Sequence, residues 1–196
     1  MIIENGVLIK VEEKDIKKGL LKSDGVEKIV ELPSEVHTIG KYAFMRSNVD
    51  TVVFTENLKR IEEYAFCNSA IEKMHINSKN GTKGVISLPE TVEFIGKEAF
   101  SHCDKILGVN INSKEIGESA FERSRNIGVI YLGEKVEKIG DFAFKMTRIK
   151  SFDMKNTENV TLGRGIFSFV DGIENVKLPS VFKDDNIDYK TAFECI

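Results

Sequence analysis

The sequence has only three cysteines, Cys67, Cys103 and Cys195, too few and too odd in number for a disulfide framework. Free thiols fit a reducing compartment. No apolar run approaches the length that spans a bilayer as a helix, so membrane insertion is not expected. The first residues, Met1-Ile2-Ile3-Glu4-Asn5-Gly6, lack the charged region and apolar core of a secretory signal. The chain is therefore expected in the cytoplasm if it is whole, and at the cell surface if a leader or anchor has been removed. A net charge of −3 is small. It gives no broad basic field that would attract nucleic acid.

Chemical motifs are missing as well. No pair of Cys or His residues has zinc-ligand spacing, and there is no Gly-x-Ser-x-Gly. Gly163-Arg164-Gly165 lacks a third glycine and a long buried strand before it. The run Asp184-Asp185-Asn186-Ile187-Asp188 lacks the alternating ligands and central glycine of a calcium loop, and reads as part of a polar C-terminal cap. His102 adjoins Cys103, but nucleophile pairs are defined by spatial geometry and not by adjacency. Carboxylates fall at variable positions, as they do on solvated faces. These absences assign no catalytic residue, no metal ligand and no cofactor, and the chain reads as non-enzymatic.

What is present is a repeated frame. It is clearest in Val92-Glu93-Phe94-Ile95-Gly96-Lys97-Glu98-Ala99-Phe100, and returns around Phe44, Phe66 and Phe144, with shorter copies ending at Phe121, Phe167 and Phe193. The steps between these phenylalanines are 22, 34, 21, 23, 23 and 26 residues. Five or six residues after each of the first six comes an apolar segment ending in strict alternation, such as Ile127-x-x-Ile130-x-Leu132. Period two means a short strand with one buried face, and one strand per fixed period is the signature of a solenoid.

Other columns keep phase with the phenylalanines. Glycine follows the isoleucine or leucine in Gly40, Gly96, Gly117, Gly140 and Gly163, which points to positive φ or to close packing. Three residues after the phenylalanine stand Ser47, Ser69, Cys103, Ser124, Thr147 and Val170, a small and mostly hydrogen-bonding column suited to satisfying buried backbone. The Ile-Gly-x-x-Ala-Phe stretch is expected to form one or two helical turns on the outer side. Residues 1–25 lie outside the frame and read as a β-hairpin cap around Asn5-Gly6. The array is placed at residues 26–180 and a C-terminal partial repeat or cap at 181–196. The 34-residue step contains an insertion at 77–88, read as a hairpin about Asn80-Gly81 that projects from one edge.

These columns resemble the BspA-like leucine-rich repeats over residues 26 to about 193. The resemblance implies an α/β repeat fold, a leucine-rich solenoid with a parallel β-sheet on the concave side and short helices or turns on the convex side. It also implies protein binding or adhesion at bacterial or protist surfaces. Ser113 departs from the pattern, standing where other copies carry an aliphatic residue. The family motif is a packing motif and transfers no catalytic residue.

Function therefore reads as a non-enzymatic protein-binding or adhesion module. The alternative is a structural or accessory domain of a larger cell-surface protein. The expected partner is another protein, with no nucleic acid. Polysaccharide ranks lower, since only one aromatic stands out on the sheet. Alternation places Glu31, Val53, His75, Asn110, Tyr131, Asp153 and Lys177 in one outward row. Of these, Val53, His75, Asn110, Tyr131, Asp153 and Lys177 form the candidate protein-binding face, with Tyr131 at its centre as an aromatic anchor.

Overall fold

Each copy of the frame supplies a two-residue strand, a run of turns and a longer strand, and each part stacks on its counterpart in the next copy. The computed structural model describes residues 1–22, 25–76, 82–154, 160–170 and 173–177. The chain opens with β1 (Ile2–Glu4), β2 (Val7–Lys10), a 3-10 turn at Glu13–Asp15, β3 (Lys17–Lys22) and β4 (Gly25–Glu31). Short and longer strands then alternate: β5 (Thr38–Ile39), β6 (Thr51–Phe54), β7 (Arg60–Ile61) and β8 (Lys73–Ile76). After β9 (Val85–Ser87) come β10 (Phe94–Ile95), β11 (Gly108–Ile111), β12 (Glu115–Ile116) and β13 (Val129–Leu132). The last are β14 (Lys138–Ile139), β15 (Ser151–Asp153), β16 (Thr161–Leu162) and β17 (Asn175–Lys177).

Among the described residues these strands form two sheets. The longer strands build one in the order β17-β15-β13-β11-β9-β8-β6-β4-β3, and the two-residue strands build the other in the order β1-β2-β5-β7-β10-β12-β14-β16. Within the array all pairings are parallel. Only β1 with β2 and β3 with β4 run antiparallel. Each sheet thus starts on its own hairpin, whereas the sequence pointed to one. In the first, Asn5 and Gly6 both take positive φ, 49° and 75°. The glycine is also required by contact, since a Cβ there would lie 2.4 Å from the His37 ring, whose Nε2 sits 3.1 Å from the Asn5 carbonyl oxygen.

The fold is a parallel β-solenoid with almost no helix, and the expected α/β character is corrected by the turns. In each described copy the residues two before and two after the phenylalanine have positive φ. They are Tyr42 and Arg46, Tyr64 and Asn68, Glu98 and His102, Ser119 and Arg123, Phe142 and Met146, and Gly165 and Phe169. A left-handed residue every fourth position cannot continue a right-handed helix. Hydrogen bonding explains what replaces it. Within one copy Ala43, Met45 and Ser47 donate three residues back, to Gly40, Tyr42 and Phe44, while Phe44 and Arg46 donate across to Ala65 and Cys67 of the next copy. Turns and inter-copy bonds alternate, so the backbone polar groups of this face are satisfied without a helix.

The core lies between the sheets and this turn face. Phe44, Phe66, Phe100, Phe121, Phe144 and Phe167 are fully buried and stack in order, with ring centroids 4.7, 5.0, 5.1, 5.4 and 6.0 Å apart. Phe152 of β15 meets the last two edge-on. Offset or edge contacts of this kind contribute about 0.5–1.5 kcal/mol each beyond area burial. Phe193 and the C-terminal stretch read as a cap lie outside the described residues.

Close approach, and not positive φ, accounts for the glycine column. A Cβ on Gly140 would lie 2.5 Å from the Glu118 nitrogen and 2.7 Å from the Gly117 carbonyl carbon, so the backbone of one copy rests directly on that of the copy before. Nothing in the structure explains why Glu62 is accepted in the same column.

The insertion is not a hairpin projecting from an edge. Its tip, residues 77–81, lies outside the described residues, but β9 sits inside the long sheet, parallel to β8 on one side and β11 on the other. Ile86 is fully buried. The two-residue sheet has no matching extra strand, since β7 pairs directly with β10. The insertion therefore lengthens one face by about one strand spacing, ~4.8 Å, which works against concavity at that point.

Candidate protein-binding face

Alternation decides which side chains leave the long sheet. Val30, Val52, Met74, Ile86, Val109, Ile130 and Phe152 point inward and are buried, so the residue after each points out. Register then sets these outward residues side by side: Glu31 with Val53, Val53 with His75, Asn110 with Tyr131, Tyr131 with Asp153, and Asp153 with Lys177. The row drawn from sequence exists, with one member missed. Ser87 of β9 stands between His75 and Asn110, because the insertion adds a strand.

Charge sits at the two ends of this row. Lys177 Nζ reaches Asp153 at 3.1 Å, and Lys17 pairs with Glu31. The middle is different. Tyr131 is 52% exposed, and the outward positions beside it on the same strip of sheet are Gly108 and Val129, paired in register. Gly128 precedes β13, and a Cβ there would meet nothing nearer than the Leu107 carbonyl oxygen at 3.9 Å. Leu107, 51% exposed, lies across Gly84, where a Cβ would come 2.5 Å from its Cγ. The result is a shallow apolar trough floored by Gly108 and Gly128 and flanked by Leu107, Val85, Val129 and Tyr131. Sequence reasoning found Tyr131 but not Leu107 or the trough, because Leu107 precedes its strand and the alternation rule does not reach it.

Several carboxylates expected on solvated faces are instead buried. Glu27, Asp50 and Glu72 are each under a tenth exposed. Glu27 accepts from Thr51 Oγ1 at 2.7 Å and pairs with Lys73 Nζ at 2.5 Å. Asp50 accepts the Lys28 N–H at 2.9 Å and Lys105 Nζ at 3.0 Å. The Thr51 and Lys28 ties join adjacent copies and the Lys73 and Lys105 ties reach one copy further, so these acids serve the stacking of the array.

Three members of the small column satisfy backbone as its chemistry suggests, whereas Ser47 Oγ is buried without a partner among the described residues. Ser124 Oγ donates to the Phe100 carbonyl at 2.6 Å and accepts the Cys103 N–H at 2.9 Å. Thr147 Oγ1 donates to the Phe144 carbonyl at 2.7 Å. Cys103 Sγ lies 3.0 Å from the Phe66 carbonyl oxygen. Burial pushes this thiol up to about 12. His102 is exposed and Cys103 is fully buried, so the two side chains part and form no pair. Among the described residues no group of three His, Cys, Asp or Glu side chains could hold a metal ion. Nor, among them, is any helix long and apolar enough to cross a membrane.

The comparisons agree on the architecture. The model of the BspA type leucine rich repeat region matches in six copies, over residues 14–84 and 82–195. No curated protein matches the sequence. A leucine rich cell surface protein from Faecalibacterium prausnitzii A2-165 is similar in structure, with TM-score 0.53 and 16% identity over 86% of this chain and 54% of its own. The pneumococcal vaccine antigen PcpA gives 0.52 and 17%, over 88% of this chain and 43% of its own. A leucine-rich repeat protein from Bacteroides ovatus ATCC 8483 gives 0.52 and 24%, over 84% and 52%. At these identities the likeness is one of fold, and the chain spans about half the length of these solved structures.

Proposed function

The chain belongs to the BspA type leucine rich repeat family, and from that premise we propose that it is a non-enzymatic module that binds another protein through the long sheet. The observation that carries this is the exposure of two large apolar side chains, Tyr131 and Leu107, on a stretch of sheet where Gly108 and Gly128 add no side chain. Protein interfaces concentrate their energy in an aromatic anchor set in an apolar centre with a polar rim. Asn110, Asp153, Lys177 and His75 supply that rim. An adhesion role is in keeping with the solved relatives, two of which are a cell surface protein and a vaccine antigen.

The test is capture from a panel of purified extracellular and cell-surface proteins. Parent protein is compared with Tyr131→Ala plus Leu107→Ala, folding being confirmed by an unchanged thermal transition. A partner held by the parent and lost by the double variant supports the sheet face. Equal capture by both removes it. A second reading is that the array is a structural or accessory part of a larger cell-surface protein, which the half-length coverage of its solved relatives favours. Under that reading neither protein captures anything.

A further inference from the structure

Where the turn face meets the long sheet, the residue four after each frame phenylalanine occupies a corner. It is Asn48, Ala70 and Asp104 in the first three copies, and then Arg125 and Arg148. The residue two after the phenylalanine changes along with it, from Arg46, Asn68, His102 and Arg123 to Met146 and Phe169. The left-handed backbone at Met146 and Phe169, with φ of 57° and 58°, turns these apolar side chains toward the surface, and Phe169 is 63% exposed. Arg125, Arg148, Lys150, Met146, Thr147 and Phe169 line an open groove of about 330 Å³.

Among the described residues no carboxylate lines this groove. Lys150 reaches Glu174 at 3.2 Å. The Arg125 backbone N–H donates to Asp104 Oδ1 at 3.1 Å, but neither the Arg125 nor the Arg148 guanidinium has an ion-pair partner among the described residues. The two arginines occupy equivalent places on successive copies, about 4.8 Å apart along the stack. Like charges on adjacent copies repel, and a planar fork of donors on each is matched to a carboxylate. In a chain of net charge −3, this corner is a local reversal of sign laid beside apolar surface.

We infer that the groove binds an acidic peptide segment, with carboxylates on Arg125 and Arg148 and an apolar side chain on Met146 and Phe169. Met146 favours a peptide over other polyanions, because a flexible thioether adapts to a varied apolar side chain. Single-stranded nucleic acid would call for successive aromatic platforms, and Phe169 is the one aromatic among the described residues that line the groove. The inference does not rest on the sheet face described above, since Tyr131 and Leu107 do not line the groove.

The probe is a fluorescein-labelled peptide with two glutamates and one leucine, followed by fluorescence anisotropy. Saturable binding is expected, weakening at least tenfold in Arg125→Ser plus Arg148→Ser and when the glutamates become glutamines. It should weaken in Phe169→Ser and fall as salt is raised. Tyr131→Ala should leave it unchanged, so failure of the groove and failure of the sheet face are distinguishable. Absence of binding, or binding indifferent to the arginine changes, overturns the proposal. Binding of polygalacturonate or an oligothymidylate in place of the peptide overturns it in favour of another polyanion.

Discussion

Phe66 and Phe100 stack with ring centroids 5.0 Å apart and planes 3° from parallel, across a step of 34 residues. Steps of 22 and 21 on either side give 4.7 and 5.1 Å. The insertion thus leaves no mark on the phenylalanine ladder. The reason is that the turns are held copy to copy by Phe66 N–H on the Ala99 carbonyl and Asn68 N–H on the Ser101 carbonyl, at 2.7 and 2.8 Å. The extra residues leave and re-enter through the long sheet alone.

Phe100 sits in the middle of that ladder with both ring faces covered. Its replacement by alanine is expected to cost about 3–5 kcal/mol, as large-to-small core changes do. Urea denaturation followed by circular dichroism measures it, and an unchanged midpoint would contradict the ladder.

Excision of residues 77–88 should leave a cooperative thermal transition. It returns the step to 22, that of Phe44 to Phe66, and places Ile76 four positions before Val92, the spacing of Phe54 and Leu58. The two-residue sheet and the turns already skip the insertion. In the intact chain, by contrast, Ile86→Ala should cost about 2–5 kcal/mol, because Ile86 is core and a projecting loop residue would cost little.

Cys103 has its thiol pushed up to about 12 by burial. An unfolded chain releases that proton near the ordinary value of 9.0. Between the two the native state holds a proton that the unfolded state has lost, so this group's contribution to stability falls as pH rises from about 9 toward 12. Cys103→Ser should flatten that part of the pH–stability curve relative to the parent and keep the fold, since Ser69 and Ser124 fill equivalent places. Native-state labelling by a thiol reagent should be slow at Cys103, as a buried thiol is inert.

The strands and the ladder were legible because alternation and spacing act within a few residues of chain. The turns were not. Nothing in Tyr42, Arg46 or Glu98 as residue types favours positive φ; the conformation is imposed by hydrogen bonds to the next copy, which spacing does not reveal. Val85-Ile86-Ser87 was legible as a strand, but not its direction. A hairpin needs only its own turn, whereas a parallel insertion needs both β8 and β11 to accept it, and that is decided by the stack. The outward row was legible apart from Ser87. The trough and the arginine corner appear only once the copies are in register.

Gly128 offers the sharpest separation of folding from recognition. It is a glycine whose backbone does not need one: its φ is not in the left-handed region, and an added Cβ finds no atom nearer than 3.9 Å. A lysine there should fit without displacing anything, and its stability should stay within about 0.5 kcal/mol of the parent, as surface changes away from caps and cores do. Its side chain would nonetheless stand in the trough between Leu107 and Val129, adding bulk and charge where an interface centre excludes both. Gly128→Lys is therefore expected to lose any partner that Tyr131→Ala plus Leu107→Ala loses, while its thermal transition matches that of the parent. Retained capture by Gly128→Lys would show that the trough is not covered in the complex, and would shift attention to the Asp153 and Lys177 end of the row.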